Sequence, residues 1–273
     1  MQKEQLYTTL NNGVVMPLLG LGVYDMYKKE AEEAVLWALE TGYRLIDTAA
    51  MYENEVQIGN AIRQSNIARN ELFITTKVHN IDQGFDQTLR AFDESQRKLD
   101  CEYIDLYLVH WPLKATRKAT WQALENIYAA GRVRAIGVAN YLIPFLDELG
   151  TYSNIIPAVN QVEFSPYLYL EDLLKYCQTK QIGLQAYSPL VRGQRFNDKK
   201  LIFLAKKYQK TPAQIILRWA LQHGISTIPK SANLTRIKEN FDVFDFEIDP
   251  KDMNFMATFH ENFRVVEDPI MLF

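Results

Sequence analysis

Short, almost uninterrupted apolar runs alternate along the chain with longer stretches whose apolar positions recur at helical spacing. The runs are LLGLGV (18–23), YRLID (43–47), LFITTKV (72–78), IDLYLVH (104–110), VRAIGV (133–138), AVNQVEF (158–164), IGLQAY (182–187) and GISTIP (224–229). Rich in β-branched and aromatic residues, they predict strands. The intervening stretches predict helices over 28–42, 53–65, 85–99, 118–131, 144–150, 170–180, 199–209 with 211–224, and 234–244. In the first of these, Ala31, Ala34, Val35, Ala38 and Leu39 share one face, while Glu32 and Glu40 fall elsewhere. Gly42, Gly131 and Gly224 stand where helices should stop.

Strand–helix alternation of this kind leaves an open doubly wound sheet or a closed (β/α)8 TIM barrel. The barrel fits the strand count and the 273-residue length better. Asn-Gly within LNNGVV (10–15) predicts a β-hairpin ahead of the first barrel strand. No Pro/Gly/Ser-rich linker or repeat divides residues 1–273, so one domain is expected.

Composition narrows the class of protein. Hydrophobic residues make up 48% and charged residues 23%, the balance of a globular protein with ample core. A net charge of −3 gives no reason to expect nucleic acid, and no apolar run reaches membrane-spanning length. The start, MQKEQLYTTLNNG, has no signal-peptide character, and Cys101 and Cys177 are far apart. A cytoplasmic chain with reduced thiols is the expectation.

In a barrel the active site lies at the C-terminal ends of the strands. There the second, third and fourth strands end in Asp47, Lys77 and His110, and Tyr52 follows in the loop after Asp47. Singly, each has a bland explanation: lysines snorkel, and histidines settle in cores. Together they can move a proton to or from oxygen. The ammonium of Lys77 is expected to lower the pKa of the Tyr52 phenol, ordinarily about 10. Asp47 would keep Lys77 charged, and His110 would position a substrate oxygen. No activated nucleophile, GxSxG elbow, His-x-His or HExxH accompanies them, so no metal site is expected.

GYRLIDTAAMYENEVQIG (42–59) resembles the signature of the aldo-keto reductases, with Asp47 and Tyr52 at its functional positions. FITTKVHN (73–80), YLVHWP (107–112), VNQVEFSP (159–166), AYSPL (186–190) and IPKSANLTRIKENF (228–241) continue the likeness in order and spacing, nearly end to end. The resemblance implies a barrel that uses NADPH to reduce aldehydes and ketones, with Asp47, Tyr52, Lys77 and His110 as tetrad and Tyr52 as general acid. It places Tyr187 under the nicotinamide, Asn140 and Gln161 at the carboxamide, and Ser188, Leu190, Glu239 and Asn240 at the pyrophosphate and adenine. Lys230, Ser231 and Arg236 match the surroundings of the ribose 2′-phosphate, a sensible set for a dianion near a helix start. Gly22 joins the cofactor contacts, although Gly20-x-Gly22 lacks the third glycine of a Rossmann fingerprint.

Three departures stand out. Ala139 occupies the position before Asn140 where the family usually has serine, which removes a hydrogen bond of about 0.5–1.5 kcal/mol to the carboxamide. Tyr24 and His79 take pocket positions where tryptophan is common, with Trp111 retained, so a roomier and wetter pocket is expected. The tail after Phe259 is short, so the long substrate-shaping loop of other members is expected to be curtailed. Short-tailed members reduce diketo-gluconates, methylglyoxal or small aldehydes, and the resemblance does not choose among these. The implied partner is a small-molecule carbonyl bound by a monomer, without nucleic acid or membrane. Two other functions fit the same residues less well: a cofactor-binding regulatory module with little turnover, and a metal-dependent hydrolase using Asp47 and His110.

Overall fold

A computed structural model describes residues 5–272 of the chain. Strands β1 (Tyr7–Thr9) and β2 (Val15–Pro17) form an antiparallel hairpin. Its loop spans residues 10–14, with Gly13 at φ +83°, so the Asn-Gly pair lies inside a longer loop than a two-residue turn.

Eight parallel strands follow: β3 (Gly20–Gly22), β4 (Leu45–Asp47), β5 (Phe73–Val78), β6 (Ile104–Val109), β7 (Val133–Ala139), β8 (Val159–Glu163), β9 (Gly183–Tyr187) and β10 (Ser226–Thr227). They pair in sequence order, and β10 returns to β3 through bridges at Leu19–Thr227 and Gly22–Lys230. The Thr227 amide donates to Leu18 O at 2.8 Å, closing the cylinder. This is the (β/α)8 barrel expected from the alternation.

Around it run α1 (Lys28–Thr41), α2 (Glu55–Gln64), α3 (Phe85–Leu99), α4 (Arg117–Ala129), α5 (Ile143–Gly150), α6 (Glu171–Thr179), α7 (Lys199–Tyr208), α8 (Pro212–Gln222) and α9 (Leu234–Phe241). The three predicted stop glycines all have positive φ, and Gly42 closes α1 by donating to Ala38 O and Leu39 O. Two helices were not foreseen: α10 (Pro250–Ala257) and the short α11 (Pro269–Leu272). The first starts at Asp249-Pro250, a legitimate helix opening, but its apolar residues mark no clear stripe. No helix among the described residues is long and apolar enough to cross a membrane.

Period-two alternation decides what faces the barrel interior. Leu45, Phe73, Leu106, Leu108, Ala135, Ala139 and Val159 pack in one inner cluster, plugged from below by Leu10 and Met16 of the hairpin. Ile46, Ile74, Val78, Tyr107, Val109 and Ile136 face outward into the larger core under the helices. Two residues beyond Leu45 on the same face comes Asp47; beyond Phe73 come Thr75 and Lys77; beyond Leu108 comes His110; beyond Val159 come Gln161 and Glu163. The inner face therefore changes from apolar to polar at one end of the cylinder.

Candidate active site

Lys77 is fully buried, and its Nζ donates to Asp47 Oδ1 at 2.6 Å and to Thr48 O at 2.9 Å. The other Asp47 oxygen accepts from Gln161 Nε2 at 2.6 Å. Gln161 Nε2 also donates to Gln185 Oε1 at 2.7 Å, Gln185 Nε2 to Ser226 Oγ at 3.1 Å, and Ser226 Oγ to Pro17 O at 3.3 Å. A line of polar contacts thus runs from the rim to the hairpin at the barrel floor. Burial pushes the Asp47 carboxyl up and the Lys77 ammonium down, and their mutual attraction opposes both shifts.

Tyr52 sits in a 3₁₀ turn, Ala50–Tyr52, with α2 starting only at Glu55. Asn54, fully buried, positions this turn: its Nδ2 donates to Val23 O at 2.9 Å and Met26 O at 3.0 Å, and its Oδ1 accepts from Thr48 Oγ1 at 2.6 Å. The Lys77 Nζ lies 5.1 Å from the Tyr52 ring centroid, and the His110 ring lies edge-on to it at 5.8 Å. The four residues read from three strand ends and one loop are therefore neighbours.

The expected direction of the tyrosine shift is reversed. Part of the Tyr52 ring surface stays open, yet its surroundings are dense enough that burial pushes the phenol well above its ordinary pKa, with Asp47, Tyr187 and Tyr24 pushing the same way. Burial is the largest cause, since a phenolate there would lose its water, and the Lys77 ammonium, held at 2.6 Å by Asp47, does not offset it. Tyr52 is therefore a firmly protonated phenol.

His110 is pushed well below the usual imidazole range, first by burial and then by the charges of Lys77 and His79. Its Nδ1 is buried without a partner, which leaves Nε2 as the nitrogen that can serve the cavity. Asn140, at φ +65°, donates from Nδ2 to His110 O at 2.9 Å and accepts from Tyr187 Oη at 2.8 Å. Tyr187 is thereby held in place at the end of β9.

These groups open onto a cavity of about 420 Å³. Its lining includes Tyr24, Asp47, Tyr52, His110 and Trp111, with Gly22, Asn140, Gln161, Tyr187, Ser188 and Lys230. The Tyr24 ring is half exposed and stands 5.2 Å from that of Tyr52. His79 does not line the cavity. Half-buried, it accepts at Nδ1 from the Ile81 amide at 3.0 Å and caps the 3₁₀ turn Asn80–Asp82.

Five expected cofactor residues also lie outside the lining. Leu190 packs against the outer core, Ser231 Oγ bonds the Asn233 backbone, and Asn240 is buried. Glu239 accepts from Thr211 Oγ1 at 2.7 Å, and Arg236 is exposed on the first turn of α9, capped by Asn233. Lys230 and Arg236 make no ion pair among the described residues, so both cations are available to an anion.

Sequence reasoning missed Met51, Arg192, Ile228 and the tail residues Val265, Val266 and Glu267, all of which line the cavity. The tail is short, yet Val265, Val266 and Glu267 reach the site.

A closed (β/α)8 barrel whose C-terminal rim gathers a protonated phenol, a buried ion pair and a neutral imidazole, with no activated nucleophile beside them, defines a barrel oxidoreductase. Comparison with known proteins agrees. The model of the aldo/keto reductase family matches residues 18–261. Glyoxal reductase of Bacillus subtilis is 49% identical over 95% of this chain and 95% of its own length. The 9,11-endoperoxide prostaglandin H2 reductase of Trypanosoma cruzi is 47% identical over 96% of this chain and 94% of its own. The crystal structure of an aldo-keto reductase from Bombyx mori in complex with NADP superposes with a TM-score of 0.91 at 36% identity, covering 97% of this chain and 95% of that one. The chain belongs to the aldo/keto reductase family.

Proposed function

We propose that the protein reduces small aldehydes and α-dicarbonyls to alcohols with NADPH. The observation that carries this reading is the buried Lys77–Asp47 pair lying behind the phenol of Tyr52, with neutral His110 edge-on to the same ring. The residues present suit the cofactor: unpaired Lys230 and Arg236 near the capped start of α9 fit a phosphate, and Gln161 and Tyr187 offer an amide and a ring to a nicotinamide. When bound, NADPH supplies the hydride.

The chain's own residues handle the carbonyl oxygen. His110, uncharged, donates a hydrogen bond to that oxygen and orients it without surrendering its proton. Tyr52 then gives up the phenolic proton. Its raised pKa keeps the proton on the phenol until charge develops on the substrate oxygen, and an alkoxide is a strong enough base to take it. The phenolate that remains faces Lys77, while Asp47 and Gln161 keep the ammonium fixed. In a shielded cavity such preorganised charges need no reorganisation during the reaction.

The cavity's volume and the 49%-identical glyoxal reductase both support a small substrate. The test is carbonyl-dependent oxidation of NADPH over a panel of glyoxal-type, aliphatic, sugar-derived and aromatic carbonyls. The expected result is highest efficiency with the small dicarbonyls. No consumption with any member would overturn the proposal. Tyr52→Phe should lose about 10²–10⁴-fold in kcat while binding NADPH as the parent does.

A further inference from the structure

Glu163 ends β8 on the same inward face as Gln161, one step nearer the rim. It is a buried carboxylate that the reaction described above does not use. Both of its oxygens are taken by the tail: Oε1 accepts from the Val265 amide at 2.7 Å and Oε2 from the Val266 amide at 3.0 Å. Those two residues, with Glu267, line the catalytic cavity. Every other lining residue belongs to a barrel strand or to the loop that follows one, so the ladder fixes its position. The tail has no such ladder. It is tied farther back by the Glu261 and Phe263 amides donating to Tyr167 O at 3.2 and 3.1 Å, and by Arg195, which pairs with Glu261 at 2.6 Å and stacks 3.6 Å from the Phe263 ring centroid. Beyond Phe263, Val265 packs against the outer core, and the carboxylate of Glu163 supplies the barrel's hydrogen bonds to the segment that reaches the cavity.

We propose that Glu163 is a positioning residue for substrate selection: its two bonds hold Val265 and Val266 as a fixed apolar wall and so set the width of the carbonyl pocket. The proposal rests on the carbonyl-reductase reading. The bidentate geometry is what makes the wall rigid, since a single bond would leave the segment free to pivot. A fixed wall favours small carbonyls that fill the space left to them, and a retreating one admits larger groups while contacting small ones poorly.

Glu163→Gln tests it with little change of shape. The variant keeps one acceptor oxygen but turns an NH2 group toward the second backbone N–H, so at least one bond is lost. Hydrogen exchange at the Val265 and Val266 amides should rise about tenfold or more, the scale of one hydrogen bond to a charged group. With a small dicarbonyl, KM should rise with kcat within about twofold, and the efficiency ratio of a bulky aromatic aldehyde to that dicarbonyl should rise about threefold or more. Val266→Ala, which leaves the barrel untouched, should shift the ratio the same way with amide exchange at Val265 unchanged. Unchanged exchange in Glu163→Gln, or raised exchange with an unchanged ratio, would overturn the proposal. If the parent protein reduces no carbonyl, the functional reading fails on its own, and exchange still decides whether Glu163 holds the tail.

Discussion

Replacing Lys77 by Met removes the ammonium while keeping most of the side-chain volume, and the structure allows the effect to be worked through. The Nζ lies 5.1 Å from the Tyr52 ring centroid. At an effective permittivity of about 20, a unit charge at that distance stabilises a phenolate by about 3 kcal/mol. The Asp47 charge opposes the ammonium at Tyr52 and cancels part of this, leaving about 1.5–2.5 kcal/mol, or roughly a 10–100-fold loss of kcat. Stability should fall as well. Asp47 is 2% exposed and would keep only the Gln161 bond, and breaking a buried pair in this way costs about 3–5 kcal/mol. The double variant Lys77→Met, Asp47→Asn separates the two effects. With no charge left to strand, it should recover most of the stability lost in the single variant and none of the rate. Urea unfolding and NADPH-dependent reduction of one carbonyl at saturation supply both readouts. A single variant with kcat within about threefold of the parent would refute the electrostatic role of Lys77.

Other expectations follow from the same geometry. Asn54→Ala deletes bonds to Thr48, Val23 and Met26, and should cost about 2–4 kcal/mol in urea unfolding and lower kcat by loosening the turn that carries Tyr52. Because His110 is held neutral in the fold, the unfolded chain binds the extra proton as pH falls below about 6.5, so stability rises with pH through that window and is lost on acidification. His110→Gln should flatten that slope between parent and variant unfolding curves, and an unchanged slope would refute the neutral assignment. Joint replacement of Lys230 and Arg236 by Ala should weaken NADPH binding at least about tenfold by fluorescence titration and leave NADH binding nearly unchanged, the mark of a lost phosphate contact.

Much of this architecture was legible because it rests on two periodicities. Alternation placed Asp47, Lys77 and His110 on the inner face at one end, since each lies an even number of residues beyond an apolar residue that fills the barrel: Leu45, Phe73 and Leu108. Family motifs then gave those positions a chemistry. The tail was opaque for the opposite reason. Residues 261–268 form no strand or helix, and their place depends on long-range bonds to Glu163, Tyr167 and Arg195 that no local pattern reveals. A motif position says where the backbone passes and not where the side chain turns, so the bond by which His79 caps the Asn80–Asp82 turn was not legible. The sign of the Tyr52 shift was missed because sequence order does not tell how densely the phenol is surrounded, and burial is the largest cause of its rise.

The chain of contacts from Lys77 through Asp47, Gln161, Gln185 and Ser226 to Pro17 has a bearing on redesign. Each member donates to or accepts from the next and is buried, so altering one leaves its neighbour with an unmet hydrogen bond inside the barrel. A protein engineer wanting new chemistry at the top should therefore treat the whole column, down to the hairpin stopper, as a single exchangeable part.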